Sequence, residues 1–83
     1  MFTASDSLEI TSFTAVSLLA LTGGKDVIGF KIVAATSGAS IVGKTASSGE
    51  TARTFTVANG EDVPVSLRTI DSVVNVTRVR IYW

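Results

Sequence analysis

The sequence predicts a small antiparallel all-β domain, a sandwich or barrel of about six strands. Apolar and polar residues alternate with a two-residue period in several stretches, and turn residues recur at roughly ten-residue spacing. The chain has one Pro and no Cys among its 83 residues, so neither breakers nor disulfides disturb that pattern. The chain ends on one such alternation. In Asn75–Trp83, Thr77, Val79, Ile81 and Trp83 share one face, and Val76, Arg78, Arg80 and Tyr82 share the other. This segment carries the only Trp and the only Tyr, and it is the strand the others are expected to pair around.

The earlier elements follow in order. Met1 to Ser7 is polar and small, a lead-in arm. From Leu8 the residues Leu8, Ile10, Ser12, Thr14, Val16 and Leu18 fall on one face. Toward Leu18–Leu21 both faces turn apolar, as in a strand covered on both sides. Ala and Leu also favour helix, so Ala15–Leu21 has a helical alternative, but the surrounding Ser, Thr and β-branched residues favour strand. Thr22–Asp26 contains Gly23-Gly24 and reads as a turn. Val27–Ala35 alternates again, with Ile28, Phe30, Ile32 and Ala34 expected in the core and Val27, Gly29, Lys31 and Val33 outside. Thr36–Ala39 reads as a turn into a short strand, Ser40–Thr45, and Ala46–Glu50 as the next turn. Thr51–Ala58 is a strand with Phe55 and Val57 inward. Asn59-Gly60 is a strong hairpin signal and leads into Val63–Thr69. Pro64 cannot donate to a ladder, so that strand lies at an edge or begins at Pro64. Ile70–Val74 is a connection of no evident type. No repeat, linker or low-complexity segment divides the chain, so residues 1–83 are expected to form a single domain.

Composition bounds the function. Seven basic and seven acidic residues cancel, leaving no net field to attract nucleic acid or anionic lipid. The apolar run Phe13–Leu21 is far short of the ~20 residues of a membrane-spanning helix. Asp6 and Glu9 precede it, where a secretory signal would carry basic residues. The absence of both His and Cys removes the usual general base and the thiol nucleophile, so no catalysis is expected. Glu61 and Asp62 are adjacent carboxylates, but beside Asn59-Gly60 they read as solvated turn residues. No cofactor or metal is expected: Asp26, Glu50, Glu61 and Asp62 lack calcium-loop spacing. Gly38-Ala39-Ser40-Ile41-Val42-Gly43-Lys44-Thr45 has the residue spacing of a phosphate loop, but no helical segment follows it, so it reads as turn and strand. Asn75-Val76-Thr77 matches a glycosylation acceptor, read as chance without a signal segment. Arg78, Arg80 and Tyr82 lie on one strand face and could in principle hold a single-stranded nucleic acid. Zero net charge and the lack of a second aromatic stripe favour instead ion pairing or solvation of that face.

Assembly is the remaining direction. For a chain this short, apolar burial and the entropy of ordering nearly cancel, and small domains then commonly rely on association. With 46% hydrophobic and 17% charged residues, and a mean hydropathy of +0.46, the sequence is apolar for its size. Phe13, Val27 and Val33 fall on faces opposite the expected core, and exposed apolar surface marks interfaces. With Arg78, Arg80 and Tyr82 they form the candidate interface.

In composition and strand spacing the whole chain resembles small, cysteine-free β-domains of tailed-bacteriophage virions, rich in Ser, Thr, Ala, Gly and Val. Capsid decoration (cement) proteins and head-fibre bases are of this kind, and the ending Val79-Arg80-Ile81-Tyr82-Trp83 shares in the likeness. The resemblance implies a non-enzymatic virion subunit, a homo-oligomer and plausibly a trimer, that reinforces joints between major capsid proteins. An alternative expectation is a β-sandwich module recognising carbohydrate or a host surface, displayed on a larger assembly and using Tyr82, Trp83, Phe2 or Phe13.

Overall fold

The computed structural model describes residues 6–46 and 51–83, and apart from one short helix its regular structure consists of antiparallel strands. In chain order these are β1 (Ser7–Ile10), β2 (Val16–Ser17), the short helix α1 (Leu18–Leu21), β3 (Gly29–Gly43), β4 (Arg53–Thr56), β5 (Asp62–Val63), β6 (Thr69–Ile70) and β7 (Ser72–Tyr82). The main sheet runs β1-β7-β3-β4, with β5 also paired to β3, and a two-stranded ladder joins β2 to β6. The path does not close among the described residues, so the fold is sandwich-like and not a barrel. β7 pairs with β1 on one side and β3 on the other, as expected for the strand around which the sheet forms.

The core is one cluster drawn from both layers. Phe30, Ile32 and Ile41 of β3 and Val79 and Ile81 of β7 are fully buried. Leu18 of α1, Ile70 of β6 and Leu67 before it close the other side, each at 0% exposure. The rings of Phe30 and Phe55 meet in a T-shaped arrangement, with centroids 6.4 Å apart and planes at 76°.

Four departures from the sequence reading have physical causes. The first is the run from Leu8 to Leu21, which is not one strand. Ala15 adopts a left-handed φ of 50°, which breaks extension, and Ser17 then caps a helical turn over Leu18–Leu21 that buries Leu18. The second is Thr36–Ala39, which does not reverse the chain. Both Gly29–Ala35 and Ser40–Val42 pair with β7 in the same antiparallel sense, so the segment is an irregular bulge inside a 15-residue strand. Gly38 (φ 77°) and Asn75 (φ 57°) face each other there, and the Asn75 amide Nδ2 donates to the Ser37 carbonyl at 3.0 Å.

The third concerns Asn59-Gly60, which is a turn but not a hairpin. β4 and β5 both run antiparallel to β3 along the same edge, so the turn only interrupts an edge strand. It is held in place because Gly60 N–H donates to the Ile32 carbonyl (2.8 Å) and Ala35 N–H to Asn59 Oδ1 (2.9 Å). Beyond β5, Val63–Thr69 does not run on as a strand: Val65 N–H donates to Val63 O and Leu67 N–H to Val65 O, both at 3.0 Å, the mark of successive γ-turns. The fourth is facial parity. Register shifts near Val33 and Thr77 invert the alternation, so Val76 is buried and Thr77 is exposed, its hydroxyl donating to the Ala34 carbonyl. Likewise Val27 precedes the strand proper and enters the core at 1% exposure, while Ile28 is 44% exposed.

The untyped stretch Ile70–Val74 resolves into the end of β6 and the start of β7. The predicted N-terminal arm, apart from Asp6 and Ser7, and residues 47–50 of the Ala46–Glu50 turn lie outside the described residues.

Candidate functional site

The outer face of the main sheet carries part of the predicted cluster. Cross-strand neighbours on one face follow the register, so Glu9 of β1, Arg80 of β7, Lys31 of β3 and Asp62 of β5 form one row across four strands. Its charges read minus, plus, plus, minus. The like pair Lys31–Arg80 is flanked by carboxylates on both sides, which offsets its repulsion. Arg80 lies 3.8 Å from Glu9 Oε1 through Nη2 and donates to the Ser7 hydroxyl at 3.1 Å through Nη1. Tyr82 stands two residues along the same face, opposite Gly29 and Ser7. Arg78 is exposed opposite Ala34, at the bulge. The result is a solvated face with internal charge compensation.

The other candidate interface residues sit elsewhere. Val27 belongs to the core, so it offers no exposed surface, because the chain turns inward before β3 begins. Phe13 is half-buried and packs against the core. Val33 is half-buried at the register shift on β3. Trp83 is also half-buried against the core, and its N–H and carbonyl pair with Asp6. Tyr82 and Trp83, adjacent on an extended chain, therefore point to opposite faces and form no shared aromatic platform.

The exposed apolar surface lies where the residue pattern signals it only weakly. Leu8 (38%), Leu21 (43%), Ile28 (44%) and Val74 (53%) are the large apolar side chains left in solvent among the described residues. Leu8 and Leu21 belong together. With Ile10 and Val16 they line an apolar groove of about 300 Å³ between the edge strand β1 and the β2–α1 segment. This groove is the open side of the sandwich. The one clue to it in the sequence is the doubly apolar run ending at Leu21, which no strand of the fold covers on both sides.

A second hollow of about 380 Å³ lies between Phe55, Val65, Pro64 and Thr45, with Arg53 at its rim. The described residues that line it include no acid–base pair. Glu61 and Asp62 are separately engaged: Glu61 Oε1 accepts from Ala58 N–H at 2.9 Å, and Asp62 stands opposite Lys31. Among the described residues no group of three or more Asp, Glu, His or Cys side chains could hold a metal ion, and no helix is long and apolar enough to cross a membrane. No family profile, curated protein or solved structure matches the chain.

Proposed function

We propose that the chain is a non-enzymatic structural subunit that works by self-association, of the capsid decoration (cement) kind that its composition resembles, reinforcing joints between capsid proteins in a virion. The observation that supports this reading is the groove of Leu8, Ile10, Val16 and Leu21. Two large aliphatic side chains, Leu8 and Leu21, each more than a third exposed, line this one groove. Covering such surface is favourable at ~25 cal/mol per Å² of apolar area removed from water. A domain this small has little other stabilisation in reserve, so contact with a copy or a capsid surface adds to its folding free energy by mass action. The charge row Glu9–Arg80–Lys31–Asp62 suits the solvent-facing side of such a subunit. The carbohydrate-module reading draws less support, because Tyr82 and Trp83 diverge and Trp83 packs on the core.

Light scattering on the pure chain tests the proposal, with a glycan array run beside it. A molar mass that grows with concentration, and no glycan binding, is the expected result. A monomer at every concentration that binds a defined glycan, with binding lost in Trp83→Ala, overturns it.

A further inference from the structure

The occupant of the open groove follows from the hydrogen-bonding parity of β1, and this step rests on the self-association reading above. We infer that a second copy of this chain pairs its β1 with the first, antiparallel, about a twofold axis passing at Leu8. β1 is the outermost strand of the main sheet among the described residues. Asp6 and Trp83 exchange both backbone bonds, at 3.0 and 3.1 Å, so residues 6, 8 and 10 direct their N–H and C=O groups toward β7. Ser7 and Glu9 therefore direct theirs outward, where no strand pairs with them among the described residues. The side chains of Leu8 and Ile10 meanwhile face the groove. A strand added to β1 thus lies along the mouth of the groove and sends alternate side chains into it.

Register selects a second copy. Outward-facing residues must pair with outward-facing ones, which leaves three twofold registers on this short strand. Centring on Glu9 sets the two Glu9 carboxylates directly opposite each other, which is unfavourable. Centring on Ser7 sets Asp6 against Leu8 and shortens the overlap. Centring on Leu8 pairs Ser7 with Glu9 twice, in two hydrogen-bonded pairs, and sets Leu8 against Leu8 in the closer, non-hydrogen-bonded position. That register covers the exposed leucine with its own copy. It also places each Glu9 between its own Arg80 and the second copy's Ser7, so charge is satisfied on the outer face.

One contact works against this pairing in the isolated chain. The Asp6 carboxylate accepts from the outward N–H of Ser7 at 2.8 Å, occupying a donor that the added strand needs. Charged and locally capped edges are how sheets resist indiscriminate pairing, so the Asp6 cap weakens the dimer and shifts its formation to higher concentration. The contact is also short, at the small end of specific interfaces.

Sedimentation velocity over about a hundredfold concentration range tests the inference, with circular dichroism confirming that each variant folds. Wild type is expected to move from monomer to dimer. Glu9→Pro removes the outward N–H while leaving every β1–β7 bond, and Leu8→Lys places a charge on the axis; both are expected to remain monomeric. Glu9→Gln keeps the donor and is expected to dimerise. Asp6→Ala frees the Ser7 donor and is expected to tighten the dimer by about threefold or more. An oligomer that persists unchanged in both Glu9→Pro and Leu8→Lys, or a trimer, overturns this inference but leaves self-association standing. A wild-type monomer throughout overturns both. Should Glu9→Pro fail to fold, Leu8→Lys decides alone, alongside concentration-dependent protection of the Glu9 amide from exchange in the wild type.

Discussion

Gly43 ends β3 where the strand passes against the segment Leu67–Thr69, and there is no room for a methyl group. A Cβ on Gly43 would overlap the Thr69 carbonyl oxygen, and would sit 3.1 Å from the Thr69 carbonyl carbon and 3.2 Å from Leu67 Cδ1. Two of these three neighbours are backbone and cannot rotate away. Gly43→Ala must therefore push the two segments apart. The bonds at risk tie them together: Arg68 N–H to the Lys44 carbonyl (2.7 Å), Asp71 N–H to the Val42 carbonyl (2.7 Å) and Lys44 N–H to Thr69 Oγ1 (3.0 Å). Overpacking costs ~1–3 kcal/mol, and loss of one or two of these bonds adds ~1 kcal/mol each. The sum is about 3 kcal/mol, which for a domain this size lowers Tm by roughly 12–24 °C. Gly60→Ala is the control: its φ is +81° but nothing lies within 4 Å of where a methyl would stand, so only the left-handed backbone is penalised, at ~1–2 kcal/mol. Urea unfolding of the two variants measures the difference. A Gly43→Ala protein within about 1 kcal/mol of wild type, or less perturbed than Gly60→Ala, would refute the close approach.

Other substitutions probe separate parts of the molecule. Asn75→Ala loses the amide bond to Ser37 and places Ala in a left-handed conformation, so a loss of ~1–2 kcal/mol by chemical denaturation is expected. Phe30→Ala opens the centre of the core, where the ring is 0% exposed and meets Phe55, and is expected to cost ~3–5 kcal/mol or to unfold the chain. Glu9→Gln removes a part-exposed ion pair with Arg80 at 3.8 Å, so monomer stability should change by less than ~1 kcal/mol and respond little to salt.

The all-β class is readable because strand alternation is a local property, and Phe30, Ile32, Val79 and Ile81 fall inward as their spacing predicts. The misleading signals are those with two structural uses. Asn-Gly supplies a positive φ equally to a hairpin and to an interruption of an edge strand, and only the long-range pairing of β4 and β5 with β3 distinguishes them. The same holds for Thr36–Ala39, where a Gly in a polar run serves a bulge facing Asn75. Parity fails wherever a bulge intervenes, which is why Val76 and Thr77 exchange sides; Val27 enters the core because it precedes the strand whose alternation would place it outside. The candidate site is less legible than the fold. Arg80 and Tyr82 share a face as i and i+2 residues must, but the Leu8–Leu21 groove is made by segments whose approach depends on the left-handed Ala15 and the helical turn after it. Neither feature has a strong signature in sequence, since Ala is an unusual residue at positive φ.

Native mass spectrometry of the wild-type chain at rising concentration bears most directly on whether this is a building block. Multiples of the 8.6 kDa chain mass are expected to grow in with concentration, and to be lost when Leu8 becomes Lys. A spectrum of monomer alone, from a chain that is folded and stable under the same conditions, would contradict self-association.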